Sequence, residues 1–129
     1  MIEDLINQAQ NIHCFDTTNI NLFREKTRML SRILCEIEDL MSKDVERARK
    51  MLKLTENIIL NYGYEAAYSR TIANEATKYV HQLLPKLVEL GEKVFEGKEL
   101  VPFLREKLYY TWDEPARRNL YNRIDELEK

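Results

Sequence analysis

Ile20, Phe23, Thr27, Leu30, Leu34, Ile37 and Met41 recur at alternating spacings of three and four. That is an a/d stripe held over three heptads, with Thr27 as its blemish. Leu22, Met29, Ile33 and Leu40 broaden the stripe beyond a two-stranded seam. A face that wide needs several neighbours, so the pattern predicts a helix over about 20–41 inside a bundle.

The same period predicts the other elements. Ile2, Leu5, Ile6, Ala9 and Ile12 line a first helix over about 2–13, and Asp16-Thr17-Thr18-Asn19 forms a turn with N-cap chemistry. After Ser42-Lys43-Asp44, a third helix carries Val45, Ala48, Leu52, Thr55, Ile58 or Ile59, and Tyr62. So short a break implies an antiparallel hairpin. If its turn centres between residues 42 and 43, position i faces 85 minus i. Glu36, Glu38 and Asp39 then approach the run Arg47, Arg49, Lys50 and Lys53, and Arg24, Lys26, Arg28 and Arg32 approach Glu56 and the tyrosine segment.

Gly63 either caps the third helix or lies within a longer one. A fourth helix is expected over about 64–84, with Ala66, Ala73, Thr77, Val80 and Leu84 on its inner face. Pro85 has no N–H for the carbonyl of His81, so the chain bends there or a helix restarts. Leu87, Val88, Gly91, Val94 and Phe95 continue the pattern, with Gly91 on the apolar face as in close packing, and Gly97 is a stop. Leu100, Phe103, Leu104 and Leu108 mark a helix over about 99–110. Asp113 or Glu114 caps a last one that carries Ala116, Leu120, Ile124 and Leu127.

Composition agrees with this pattern. The 129 residues are 44% hydrophobic and 33% charged, with three glycines and three prolines, too few to punctuate a β fold. The expectation is a single all-α domain spanning 1–129: an antiparallel bundle of five to six helices built around a long hairpin of helices two and three. A net charge of −2 lends no support to a strongly basic nucleic-acid binder. Cys14 and Cys35 cannot staple a secreted domain, "MIEDLINQAQ" lacks the basic start of a signal peptide, and no apolar run spans a bilayer. These features point to the cytoplasm. "RIDELEK" still reads as helix, leaving room for the chain to continue past Lys129.

Motifs for chemistry are sparse. There is no phosphate-cradling glycine loop, no nucleophile elbow and no Glu-x-x-His. His13, Cys14 and Asp16 stand together, with Cys35 as a conceivable fourth ligand, but zinc-type spacings are missing. A mid-helix histidine in a bundle of this size resembles a histidine phosphotransfer domain in outline. "HQLLPK" lacks the lysine–glycine pair that follows the histidine there, and His81 reads as a solvated surface residue. No catalytic residue, cofactor or metal is assigned.

Two surfaces remain. On one continuous helix, Tyr64, Tyr68, Glu75 and Tyr79 would share a face separate from the alanine face, which suits contact with a protein partner or a second copy. The alternative is phosphate-backbone binding by Arg24, Arg28 and Arg32 with Arg117 and Arg118, beside the aromatics Tyr109, Tyr110, Trp112 and Tyr121. Residues 98–129 carry seven bases and seven acids, which disfavours it. The expected role is a non-enzymatic interaction module: an oligomeric scaffold, adaptor or regulatory subunit.

Overall fold

A computed structural model describes residues 2–15, 17–95, 99–108 and 114–128. The helices are α1 (Ile2–Gln10), α2 (Ile20–Met41), α3 (Val45–Ala67), α4 (Ala73–His81), α5 (Leu84–Val94), α6 (Leu100–Leu108) and α7 (Glu114–Glu128), with a 3₁₀ turn at Arg70–Ile72. No strand occurs among the described residues. Gln82 (φ −61°, ψ −24°) and Leu83 (φ −85°, ψ −23°) keep near-helical dihedrals, so α4 and α5 are two arms of one bent path, and the described residues form six rods. Pro85 sits in the first turn of α5, where its missing N–H costs least.

Short polar side chains start the two longest helices. The Asn19 side chain accepts from the Asn21 N–H, and Asp44 accepts from the Arg47 N–H, both at 3.1 Å. The α2–α3 hairpin is the most closely packed pair. Its register follows the expected rule: Phe23 stacks on Tyr62, ring centres 5.7 Å apart. The hairpin's charges pair differently from expectation. Glu38 meets Lys86 at 2.7 Å and Lys93 at 3.5 Å on α5, Arg47 reaches Glu3 on α1, and Arg49 bonds Glu46 and the Val94 carbonyl. Helices outside the hairpin supply the partners of Glu38 and Arg47. The hydrogen bond from Lys86 is the main reason the Glu38 carboxyl titrates below its ordinary range.

These contacts set the directions of the rods. Lys26 of α2 bonds the Ile12 carbonyl just past α1, while Arg47 near the start of α3 reaches Glu3. Hence α1 runs against α2. Thr27 bonds the Tyr79 carbonyl and Glu38 lies beside Lys86, so the α4–α5 path runs with α2 and against α3. The core is an up–down arrangement of α1, α2, α3 and α4–α5. α6 packs on α5 and α7 on α6. Phe23, Leu30, Ile33, Leu34, Ile37, Leu52, Ile59 and Tyr62 fill the centre with about 0–1% exposure each.

Two expected boundaries move. The first helix ends at Gln10 rather than His13. Gly63 lies buried inside α3, and the break comes at Tyr68–Ser69. No continuous helix covers 64–84. The reason is local hydrogen bonding joined to tertiary contact. Ser69 Oγ donates to the Glu65 carbonyl at 2.7 Å and lies 3.3 Å from the Cys14 carbonyl. A serine bonded back to the carbonyl four residues earlier competes with helix propagation. The expected stop at Gly97, and Tyr109, Tyr110, Trp112, Asp113 and Asp16, lie outside the described residues.

Candidate functional site

Residues 11–15, which follow α1, are strapped to the far end of α3. The Cys14 N–H donates to Glu65 Oε2 at 3.0 Å. Lys26 Nζ donates to the Ile12 carbonyl at 2.8 Å, faces Glu65 Oε2 at 3.5 Å, and sits 5.2 Å from the centre of the Tyr62 ring. Lys26 is only 3% exposed, so its charge is held by oxygen atoms and a ring face instead of water. Beneath it, Tyr62 donates to the Phe23 carbonyl at 2.7 Å, which leaves the Thr27 hydroxyl to donate to Tyr62 Oη at 2.8 Å or the Tyr79 carbonyl at 3.2 Å. Thr27 is therefore a matched polar member of the stripe. Burial raises the Tyr62 hydroxyl far above its usual pKa, and burial also pushes the Cys14 thiol up to about 11.

The strap fixes Phe15 at the surface. Phe15 is 68% exposed and lies 6.4 Å, ring centre to ring centre, from Tyr68, itself 64% exposed. Tyr64, one turn back on α3, is 52% exposed. The same outer face of α3 continues through Asn61 and Asn57 to Leu54, which is 47% exposed, and then Lys50. The positions 50, 54, 57, 61, 64 and 68 follow spacings of four, three, four, three and four, and all six are exposed.

Charge distribution sets this face apart. Between Leu54 and Tyr68 the only charged residues are Glu56 and Glu65. Glu56 is 7% exposed, and Glu65 is spent on Lys26 and Cys14. The water-facing stripe thus has no exposed charge for four turns, in a chain that is 33% charged. A solvated helix face ordinarily carries Lys and Glu. Clustered exposed aromatic and aliphatic groups without them resemble the centre of an interface.

The tyrosine set expected from sequence is divided by the break at 68–72. Tyr64 and Tyr68 lie on the outer stripe of α3, whereas Glu75 and Tyr79 belong to α4. Tyr79 is half-buried, and Arg24 Nε and Nη2 both lie 3.4 Å from its hydroxyl. The arginines of the nucleic-acid alternative fall on two helices. Arg24, Arg28 and Arg32 are exposed on α2, with Arg32 3.7 Å from Glu36; Arg117 sits 5.9 Å from the Tyr121 ring and Arg118 is exposed on α7. Cys14 is buried and Cys35 exposed, and among the described residues no group of three potential metal ligands converges.

Phe15, Leu54, Asn57 and Asn61 were not singled out by the sequence. The signal was present as a second heptad-spaced series on α3, out of phase with the core series. Allowing the helix to stop at Gly63 cuts that series before its two tyrosines. Comparison with protein-family models, curated proteins and solved structures finds no match to this chain.

Proposed function

We propose that this chain is a non-enzymatic helical interaction module that self-associates through the outer face of α3. The observation carrying the reading is the uncharged, heptad-spaced exposed stripe from Leu54 to Tyr68, extended by Lys50 and flanked by Phe15. Its spacings of four, three, four, three and four are the same read in either direction. Laid antiparallel on a second copy, the stripe finds a partner at every position. Lys50 faces Tyr68, Leu54 faces Tyr64, and Asn57 faces Asn61, each twice by symmetry.

The pairings are chemically matched. A lysine stem and ammonium suit a tyrosine ring, leucine packs on tyrosine, and asparagine amides can exchange donors and acceptors. No like charges oppose one another between Leu54 and Tyr68. The strap that anchors Phe15 reduces the ordering cost at that end. The seam is roughly 27 Å long at 1.5 Å per residue. Such a seam falls in the small, weak class below about 1,200 Å², so a dimer dissociating in the micromolar range is expected. No helix among the described residues is long and apolar enough to cross a membrane, and a reducing cytoplasm suits two unpaired thiols.

Sedimentation velocity across a concentration series tests this. The wild-type chain should move from one to two chains per particle. The double variant Leu54→Lys, Tyr64→Lys places lysines opposite lysines and should remain monomeric with unchanged helicity. Mixing it with Leu54→Glu, Tyr64→Glu should restore a dimer. A wild-type chain that stays monomeric at every concentration ends the proposal.

A further inference from the structure

A groove of about 720 Å³ lies between the α4–α5 bend and α7. Its floor is apolar: Leu84, Pro85, Val88 and Leu120. Leu84 and Leu120 are 7% and 8% exposed, so part of this floor belongs to the packed core. The rim is polar and comes from two sides. Lys78, His81 and Gln82 stand at the end of α4 and just beyond, and Asn119 and Arg123 stand on α7. The volume lies within the roughly 300–1,000 Å³ usual for small-molecule sites, which combine apolar walls with a few placed polar groups.

The rim sets Lys78 and Arg123 against one carboxylate among the lining residues, Glu92, with the His81 ring and the Gln82 amide beside Lys78 as hydrogen-bonding groups. Glu92 is already engaged by Arg123 Nε at 2.9 Å, while Glu126 holds Arg123 Nη1 at 3.3 Å. The two acids fix the guanidinium in place, and that engagement is the main reason Arg123 titrates higher than usual. Cations in the last turn of α4 also offset its carbonyl end. That accounts for Lys78 and His81 separately, but not for their convergence with Asn119 and Arg123 over an apolar floor.

We infer that the groove between the α4–α5 bend and α7 binds a small amphipathic anion: a carboxylate whose apolar tail lies along Leu84, Pro85, Val88 and Leu120. The carboxylate sits at the Lys78–His81 end, and the Gln82 and Asn119 amides supply further donors. An uncharged molecule of the same length forgoes the ionic contacts, and a cationic one meets like charge. This inference is independent of self-association, because α3 contributes no lining residue.

The test uses the full chain and the fluorescent anion 1-anilinonaphthalene-8-sulfonate, displaced by decanoate, decanol or decyltrimethylammonium. Decanoate should displace the dye at least about tenfold more effectively than the other two, a difference of roughly 1.4 kcal/mol. Lys78→Glu, at an exposed position that leaves the fold intact, should weaken decanoate about tenfold and decanol little. Val88→Trp should fill the groove and abolish dye binding. The inference fails if decanoate does not bind, if decanol equals decanoate, or if neither variant changes the decanoate affinity.

Discussion

Lys26 carries its charge almost out of water, yet in sequence it reads as one more cation beside the exposed Arg24, Arg28 and Arg32. A buried ammonium is tolerable only with nearly all its donors satisfied, and the Ile12 carbonyl, Glu65 and the Tyr62 ring meet that demand. Cys14 sits in the same knot through its backbone N–H, and its thiol is pushed up to about 11 by burial. Thiolate is the reactive form, so Cys14 should resist alkylation while exposed Cys35 reacts. With iodoacetamide at pH 8, the native chain should take one label quickly at Cys35 and the second only on unfolding. Two labels at similar rates would mean that the strap opens readily, and that Phe15 is not held where it appears.

Element packing turns on Gly91. A Cβ at that position would lie 2.2 Å from the nearest Phe103 ring atom, far inside contact distance. Glycine inside a helix normally costs about 1 kcal/mol relative to alanine. Here the sign reverses, because the added methyl must displace the ring that joins α6 to α5. Gly91→Ala should destabilise by about 1–3 kcal/mol, the usual range for overpacking. Urea unfolding measures it, and Phe103→Leu should recover part of the loss in the Gly91→Ala background. A stabilised Gly91→Ala would show that α6 does not press on α5. The break at Tyr68–Ser69 separates Tyr64 and Tyr68, exposed along the outer face of α3, from Tyr79, which is half-buried and hydrogen-bonded by Arg24. Ser69 is therefore an architectural residue, although nothing in its neighbouring sequence marks it.

At the scale of the whole molecule, α1 to α5 form one up–down core to which α6 and α7 are added. Leu34 and Ile37, mid-stripe on α2, are both fully buried. Leu34→Ala should cost about 2–5 kcal/mol, combining lost transfer energy with the cavity left behind. Chemical denaturation followed by circular dichroism checks this. A loss below about 0.5 kcal/mol would place the stripe at the surface. Because the stripe faces inward, the dimerisation proposed at the outer face of α3 would leave the core contacts untouched.

The apolar period alone determined the class, the hairpin and its register. A core position recurs every three or four residues wherever a helix is buried, and a short break between two long helices favours reversal. Phe23 opposite Tyr62 and the fully buried Leu30, Leu34 and Ile37 were legible on those grounds. Ion pairing was not, because the reach of a long side chain depends on every helix nearby: Glu38 found α5 and Arg47 found α1. The break after Ala67, the burial of Lys26 and the exposed aromatic end were decided by tertiary structure as well. Each depends on Cys14 and Glu65, 51 residues apart, meeting across the bundle. A pattern along the chain reports which face is wet or dry, but not which distant backbone group will claim a given side chain.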